Sequence, residues 1–412
     1  MAQLVDGRRP SGSWPQRARA ILFPGSLACE RSVDCGSVPG APPHRLLVQW
    51  HLTERCNLRC AHCYQEPAAR AELGPDELPG VLEQCAALIA SLGDGRTPPR
   101  ARGHVTLTGG EPLVHAGFWD LAERIAAARP ALTFAVLTNG TLVDRDAARR
   151  LRSLGAGFVQ VSIDGAETTH DRIRGAGSHA RAVAGLRHLV REGVRTMISF
   201  TASRTNWSEF PRVAGLGRRL GVNRVWADRM VPCGGAATLR DEVLTPEETR
   251  RFIGVMRDAQ RRYASRRTEI ALHRALQFTL GGGTPYRCSA GDSLITIMPD
   301  GDVHPCRRMP RRVGNVRSTP LAEIYRSSPL LVALRDRRRA IRGCEACFYA
   351  DVCGGGLRCL AAAVHGDPFR ADPGCWLSGA VNDLDDAVGG RAGGDTTSAR
   401  PDVLLEEVAW KS

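Results

Sequence analysis

The sequence predicts an α/β chain: six parallel strands covered by helices, suited to an open partial barrel, followed by a small cysteine-rich C-terminal domain. Three observations predict it. Apolar strand-like runs alternate with helix-like segments from Leu46 to Met230. Three cysteines, Cys56-x-x-x-Cys60-x-x-Cys63, share the loop after the first of those runs. Seven further cysteines fall in the last third, starting at Cys288. Periodicity alone also allows a doubly wound sheet.

Residues 1–45 are rich in Pro, Gly, Ser and Arg and show no sustained period, so they read as an irregular arm. Cys29 and Cys35 lie in it, as incidental thiols or as half of a small metal site. Residues 46–240 form the barrel unit. Its strands are Leu46–Leu52, Val105–Thr108, Thr133–Thr138, Phe158–Ile163, Thr196–Thr201 and Arg224–Met230. Such apolar strands belong to a sheet buried on both faces. Helices fill the gaps at Asp76–Leu92, Phe118–Ala128, Arg145–Leu154, His179–Glu192 and Glu209–Leu220. Residues 241–284 read as a helical linker. Its start is written in Thr245-Pro-Glu-Glu248: a capping threonine, proline at the first helical position and glutamate three residues after the cap. Residues 285–380 hold the cysteine-rich domain, and 381–412 a flexible tail, as the composition of Gly389–Ser398 suggests.

At 412 residues and 43% hydrophobic content the chain can bury a sizeable core in one or two domains. No run approaches the ~18–20 apolar residues of a membrane span. Arg8 and Arg9 are not followed by a signal-type apolar region, so the expected compartment is the cytoplasm, with no membrane partner. Fourteen cysteines there point to metal or redox chemistry rather than disulfides. The net charge is +13, and Lys411 is the only lysine. No basic run is interleaved with aromatics, which argues against nucleic acid. A positive field would speed the encounter with an anionic peptide. Without an internal lysine, lysine-anchored pyridoxal phosphate is excluded.

Three cysteines can hold only three irons of a cubane, leaving the fourth open to another ligand. The competing reading is a structural zinc site completed by His51 or His62. The segment Val105-Thr-Leu-Thr-Gly109-Gly110-Glu111-Pro112 separates the two. Its glycines let the backbone approach a ligand, and Glu111 can accept hydrogen bonds from an ammonium group. Together these motifs resemble the S-adenosylmethionine (SAM) site of the radical SAM superfamily. The resemblance implies a partial (β/α)6 TIM-type barrel. It implies a [4Fe-4S] cluster on Cys56, Cys60 and Cys63, whose open iron chelates SAM, and a Gly109–Pro112 loop that holds the SAM amino group. Asn139, after the third strand, and Ser162 and Asp164, ending the fourth, offer polar groups for the ribose. Arg174 offers a partner for the SAM carboxylate. His62 takes the place where the family packs an aromatic near the adenine.

The C-terminal pattern is Cys288-x12-Gly301-x4-Cys306, then Cys344-x2-Cys347-x5-Cys353-x5-Cys359, then Cys375. It resembles the SPASM extension, which carries auxiliary iron–sulfur clusters, one or two here. Asp300-Gly301 reads as the turn of its hairpin. The resemblance assigns Cys344, Cys347, Cys353 and Cys375 to one [4Fe-4S] cluster, and Cys288, Cys306 and Cys359 to another nearer the barrel. Two departures stand out. Five residues rather than three separate Cys353 from Cys359, and residues 289–305 hold no cysteine. The inner cluster therefore has an open iron in this reading, for a substrate thiolate, Asp292 or His304.

The expected chemistry is one-electron cleavage of SAM to a 5′-deoxyadenosyl radical, followed by hydrogen abstraction from the substrate. The resemblance points first to a maturase that forms thioether or carbon–carbon cross-links in a ribosomally made peptide. Its expected partners are that peptide or protein substrate, an electron donor such as flavodoxin or ferredoxin, and a separate leader-recognition protein. The alternatives are a sulfatase-maturase-like oxidase, a peptide epimerase, a tetrapyrrole-modifying enzyme and a non-enzymatic iron–sulfur electron carrier. Cys233, after the sixth strand, is the candidate hydrogen-atom donor for an epimerase, against a bystander thiol.

Overall fold

The structure, a computed structural model, describes residues 45–65, 71–92 and 102–377. Cys29, Cys35 and the 381–412 tail lie outside the described residues. Six strands follow in order: β1 Arg45–His51, β2 Arg102–Thr108, β3 Leu132–Thr138, β4 Val159–Ser162, β5 Thr196–Ala202 and β6 Arg224–Arg229. Each pairs in parallel with the next. Between them run helices α1 Leu78–Ser91, α2 Phe118–Ala127, α3 Arg145–Ser153, α4 Glu167–Arg174, α5 Ser178–Arg191 and α6 Phe210–Leu220. Helix α5 shows why: Ala182, Val183, Leu186 and Leu189 recur at helical spacing and are all buried. Each such leucine contributes about 1.5–3 kcal/mol on burial. Trp50, Phe134, Phe200, Phe210 and Phe252 belong to the same core.

The sheet extends past the six expected strands. The linker opens with helix α7, Pro246–Tyr263, under a complete Thr245–Glu248 capping box. After it, β7 Glu269–Ala271 pairs in parallel with β6, so the segment read as a helical linker also holds a strand. Three residues are too few to show a period, and tertiary pairing decides them. On the opposite side, β8 Leu294–Ile297 pairs in parallel with β1, Leu47 against Leu294 through Trp50 against Ile297. Strands β9 Asp302–His304 and β10 Gly314–Asn315 complete an antiparallel meander. The order is β10-β9-β8-β1-β2-β3-β4-β5-β6-β7, and the sheet does not close. It is a partial barrel, with the hairpin around Gly301 (φ +83°) continuous with it.

Helix α4 was not expected. It is largely polar and buries only Thr169 and His170, so it carries no apolar stripe. The remaining helices are α8 Phe278–Gly281, α9 Leu321–Ser327, α10 Pro329–Arg335, α11 Ala350–Cys353 and α12 Arg358–His365. Among the described residues no helix is long and apolar enough to cross a membrane.

Candidate active site

Cys56, Cys60 and Cys63 lie half-buried in the loop leaving β1. Burial raises all three thiols, and neighbouring cysteines add to the rise. A metal that binds thiolate offsets that cost. Polar groups surround the sulfurs: the Leu58 N–H lies 3.4 Å and Asn139 Nδ2 3.8 Å from Cys56 Sγ, and Arg174 Nη1 lies 3.9 Å from Cys60 Sγ.

Gly109 and Gly110 also serve a packing role that the sequence did not show. They let the β2 loop close on the cysteine loop itself. A Cβ at Gly110 would stand 2.3 Å from the Arg55 carbonyl oxygen, and one at Gly109 2.5 Å from that of Thr53. The N–H groups of Gly110 and Glu111 donate to Thr53 O (2.7 Å) and Arg55 O (3.0 Å). This clamp fixes the cysteine loop to the end of β2, and Pro112 starts a short turn directly after it.

Glu111 is fully buried. Its carboxylate accepts from the Thr138 hydroxyl (2.7 Å), the Asn139 N–H (2.8 Å) and the Leu113 N–H (3.3 Å). A carboxylate has about four acceptor sites, so one remains for an ammonium group. Burial pushes Glu111 up to about 7, against the pull of those hydrogen bonds. The carboxylate form is therefore lost as pH falls through 7, and with it the attraction for a cationic amino group. SAM affinity is expected to fall about tenfold between pH 8 and 6. Anaerobic equilibrium dialysis across that range checks this, with Glu111→Gln expected to be weak and flat.

Asp164 and His62 have partners within the protein. Asp164 is fully buried: one oxygen accepts from the Thr201 N–H (2.8 Å), and the other meets Arg174 Nε (2.5 Å) and His62 Nε2 (3.1 Å). Burial alone would raise this carboxyl, but Arg174 and His62 carry it well below the usual range. Asp164 thus orients Arg174 and His62, and its three contacts leave one acceptor site, as at Glu111. Ser162 stands half-buried at the end of β4, paired with Ser199. The structure thus links Cys56, Asn139 and Glu111 on one side of the loop, and Cys60, Arg174, Asp164 and His62 on the other.

Several supports had no sequence signal. Asn206 Nδ2 donates to the Asp164 carbonyl (3.0 Å), and His170 Nδ1 accepts from the Asp164 N–H (3.1 Å). Asn57 joins Asn139 (2.9 Å) to Thr141 (2.8 Å). These partners meet only through the fold.

The C-terminal cysteines form two groups. Cys344, Cys347, Cys353 and Cys375 line one cavity with Tyr349, Gly355, Gly356 and Asp372. Burial pushes Cys344 and Cys353 up to about 12, and nearby thiols and, at Cys353, Asp372 add to it. Asp372 pins this region to the barrel: its two oxygens receive Arg229 Nη1 (2.7 Å) and Nη2 (2.5 Å), and also the N–H groups of Gly374 (2.9 Å) and Leu357 (2.8 Å). In the second group Cys306 is drawn down by a hydrogen bond with Cys359, whose own thiol is pushed up. Cys288 bears on both. Cys233 is buried within this second group. Among the described residues no three side chains converge on a single metal-ion position; a cubane instead spreads its thiolates over separate irons. The donor sets are all-thiolate, as such clusters require.

Near the site cysteines in sequence, arginines lie on aromatic rings: Tyr64 follows Cys63, Tyr286 precedes Cys288 and Arg307 follows Cys306. Arg274 lies 4.4 Å above Trp226 and 5.7 Å from Tyr286, and Arg307 lies 5.4 Å above Tyr64. Arg308 pairs with Asp228 at 2.7 Å. A separate cavity of about 580 Å³, lined by Gly157, Arg195, Asn223 and Arg267, opens where β4–β6 begin, away from all the site cysteines.

Residues 50–216 match the radical SAM superfamily, and residues 288–348 match SPASM, an iron–sulfur cluster-binding domain. The chain is 30% identical over 387 residues to the pre-heme d1 synthase of Dinoroseobacter shibae, covering 82% of this chain and 89% of that protein. It is 30% identical over 362 residues to the Fe-coproporphyrin III synthase of Methanosarcina barkeri, covering 81% and 88%. The structure of Streptococcus suis SuiB bound to its precursor peptide SuiA shares the fold, with a TM-score of 0.63 at 16% identity over 81% of this chain and 76% of that one.

Proposed function

The chain belongs to the radical SAM superfamily, as an enzyme that uses SAM and [4Fe-4S] clusters, and on that premise we propose that its substrate is a tetrapyrrole bearing carboxylate side chains. The observation that carries this reading is a set of arginines and rings: Arg274 on Trp226 and Tyr286, Arg307 on Tyr64, and Arg308 paired with Asp228. Guanidinium groups pair with carboxylates bidentately, and the rings offer flat apolar surface to a planar macrocycle. Two relatives of nearly full length are named for making tetrapyrroles.

When bound at Cys56, Cys60 and Cys63, the cluster supplies the electron that cleaves SAM and so begins hydrogen abstraction. The protein's own part is positional. Glu111 would receive the SAM amino group, and Arg174, held by Asp164 beside Cys60, would offer its guanidinium to the SAM carboxylate. The glycine clamp keeps the cysteine loop fixed to β2. Arg274 and Arg308, set around Asp228, hold substrate carboxylates in the barrel. A flavodoxin or ferredoxin supplies the electrons.

A second reading keeps the chemistry and changes the substrate to a ribosomally made peptide, since the same fold in SuiB was solved with a precursor peptide bound. One assay separates the two. Anaerobic enzyme with reductant and SAM is offered Fe-coproporphyrin III, or a short peptide encoded beside the gene. Tetrapyrrole-dependent 5′-deoxyadenosine with a mass change in the macrocycle is expected, and Arg274→Gln should weaken binding seen in the porphyrin absorbance. Stimulation by the peptide alone would overturn the tetrapyrrole reading.

A further inference from the structure

We propose that Cys233 is the fourth thiolate of the inner auxiliary cluster, joining Cys288, Cys306 and Cys359 and closing that cluster to outside ligands. The proposal rests on the auxiliary-cluster chemistry of the SPASM segment. It replaces the open iron that the cysteine spacing suggested.

Four cysteines from three parts of the chain meet in one buried group with Met309, Leu357 and Leu360. Cys306 follows β9, Cys359 lies in the first turn of α12, and Cys233 is in the loop after β6. Cys306 and Cys359 are hydrogen-bonded to each other, and Cys288 Sγ accepts from the N–H groups of Ala290 and Arg358. Cys233 Sγ lies 3.8 Å from the carbonyl oxygen of Arg308, two residues past Cys306. It lies 3.9 Å from that of Tyr64, next to Cys63. The position is built. Gly234 has φ +58°, and a Cβ there would stand 2.1 Å from the Tyr64 oxygen, so this approach requires glycine. The N–H groups of Gly235 and Ala236 donate to Gln65 O and Cys63 O, both at 2.8 Å.

A second observation asks for negative charge beside Cys288. Arg358 is 1% exposed, and none of its three guanidinium nitrogens has a hydrogen-bond partner. It lies 5.3 Å over the Phe369 ring, and a buried cation with no hydrogen bond is costly. Its facing anionic groups are Cys288 and Asp292. Asp292 already pairs with Arg337 at 3.5 Å. Arg308 faces Cys306 and Cys359 from the barrel side. A cubane with four thiolates is more anionic than one with three, which suits a pocket walled by two arginines. His304, the other candidate ligand, lies beside His51 in the barrel.

Ligation is a simple exchange. The Cys233 thiol gives its proton to solvent, a sulfur–iron bond forms, and neither partner changes oxidation state. A closed inner cluster can pass electrons but cannot anchor a substrate thiolate.

The test uses full-length protein carrying Cys56/Cys60/Cys63→Ala, reconstituted with iron and sulfide, with and without Cys233→Ala. Mild ferricyanide oxidation strips the iron that lacks a thiolate and leaves a [3Fe-4S] cluster visible by EPR. The expected result is no such signal in the parent and a strong one with Cys233→Ala. In the latter, added 2-mercaptoethanol should also shift the reduced-cluster EPR spectrum. A [3Fe-4S] signal already present in the parent, or none with Cys233→Ala, would overturn the proposal. Iron and sulfide sufficient for only the outer cluster in the parent would instead overturn the underlying two-cluster reading. Cys233→Ser, which preserves shape, repeats the comparison if the alanine variant misfolds.

Discussion

Replacing any one of Cys56, Cys60 and Cys63 with alanine is expected to abolish 5′-deoxyadenosine formation while leaving iron at the C-terminal cysteines. Each sulfur occupies its own polar niche, with Asn139 and the Leu58 N–H at Cys56, Arg174 at Cys60 and the Gln65 N–H at Cys63. No neighbour can step into a vacated position. His62, next to Cys63 in the loop, is committed to Asp164 at 3.1 Å. The loop cannot shift to bring another ligand in, because Gly109 and Gly110 lock its backbone against β2. The loss should exceed the roughly 10–100-fold typical of removing an outer-shell partner, because a first ligand is gone. Chromatographic assay of 5′-deoxyadenosine, with iron counted in parallel, reads both halves of the expectation. 5′-Deoxyadenosine formed undiminished by a single variant would mean that the replaced cysteine is not a ligand of the SAM-cleaving cluster.

The second large effect is expected far from that loop. Asp372→Ala should cost about 3–5 kcal/mol, the penalty for stranding one member of a buried ion pair. Arg229 and Asp372 are both buried and doubly bonded, and Asp372 also holds the backbone on either side of the outer cysteine cavity. The vacated site would leave Arg229 charged and unpaired on β6. Denaturant unfolding of the loaded protein measures the loss, and iron content should fall with it. Replacing the pair together, Arg229→Met with Asp372→Leu, should recover part of the stability, since matched apolar groups avoid the stranded charge. A change below about 1 kcal/mol for Asp372→Ala would mean that the pair is solvated, as exposed ion pairs are.

Much of this fold is legible in the sequence because parallel strands are buried on both faces and read as short apolar runs. The six expected strands agree with the observed ones to within a few residues. The Thr245–Glu248 cap is local chemistry and is equally legible. Short pieces are not. β7 is three residues long, and β8 earns its place only by pairing with β1, nearly 250 residues earlier. At the site, residue types were legible and their partners were not. Gly109 and Gly110 signalled a close approach, and the backbone they approach is that of Thr53 and Arg55. Asp164 signalled a polar contact, and its partners in the protein include Arg174 and His62. Cys233 stands alone in sequence and joins three cysteines only when the barrel and the C-terminal segment meet.

The pairing of β8 with β1 bears on how the enzyme can be dissected. A fragment ending near residue 240 looks like a complete barrel by motif. It would leave the apolar backbone of Leu47–Trp50, which β8 normally covers, as an open edge offering unpaired N–H and C=O groups to other chains. Such a fragment should aggregate rather than report on SAM cleavage in isolation. The C-terminal segment is thus the cover that keeps the catalytic strand from templating self-association, as well as a carrier of clusters.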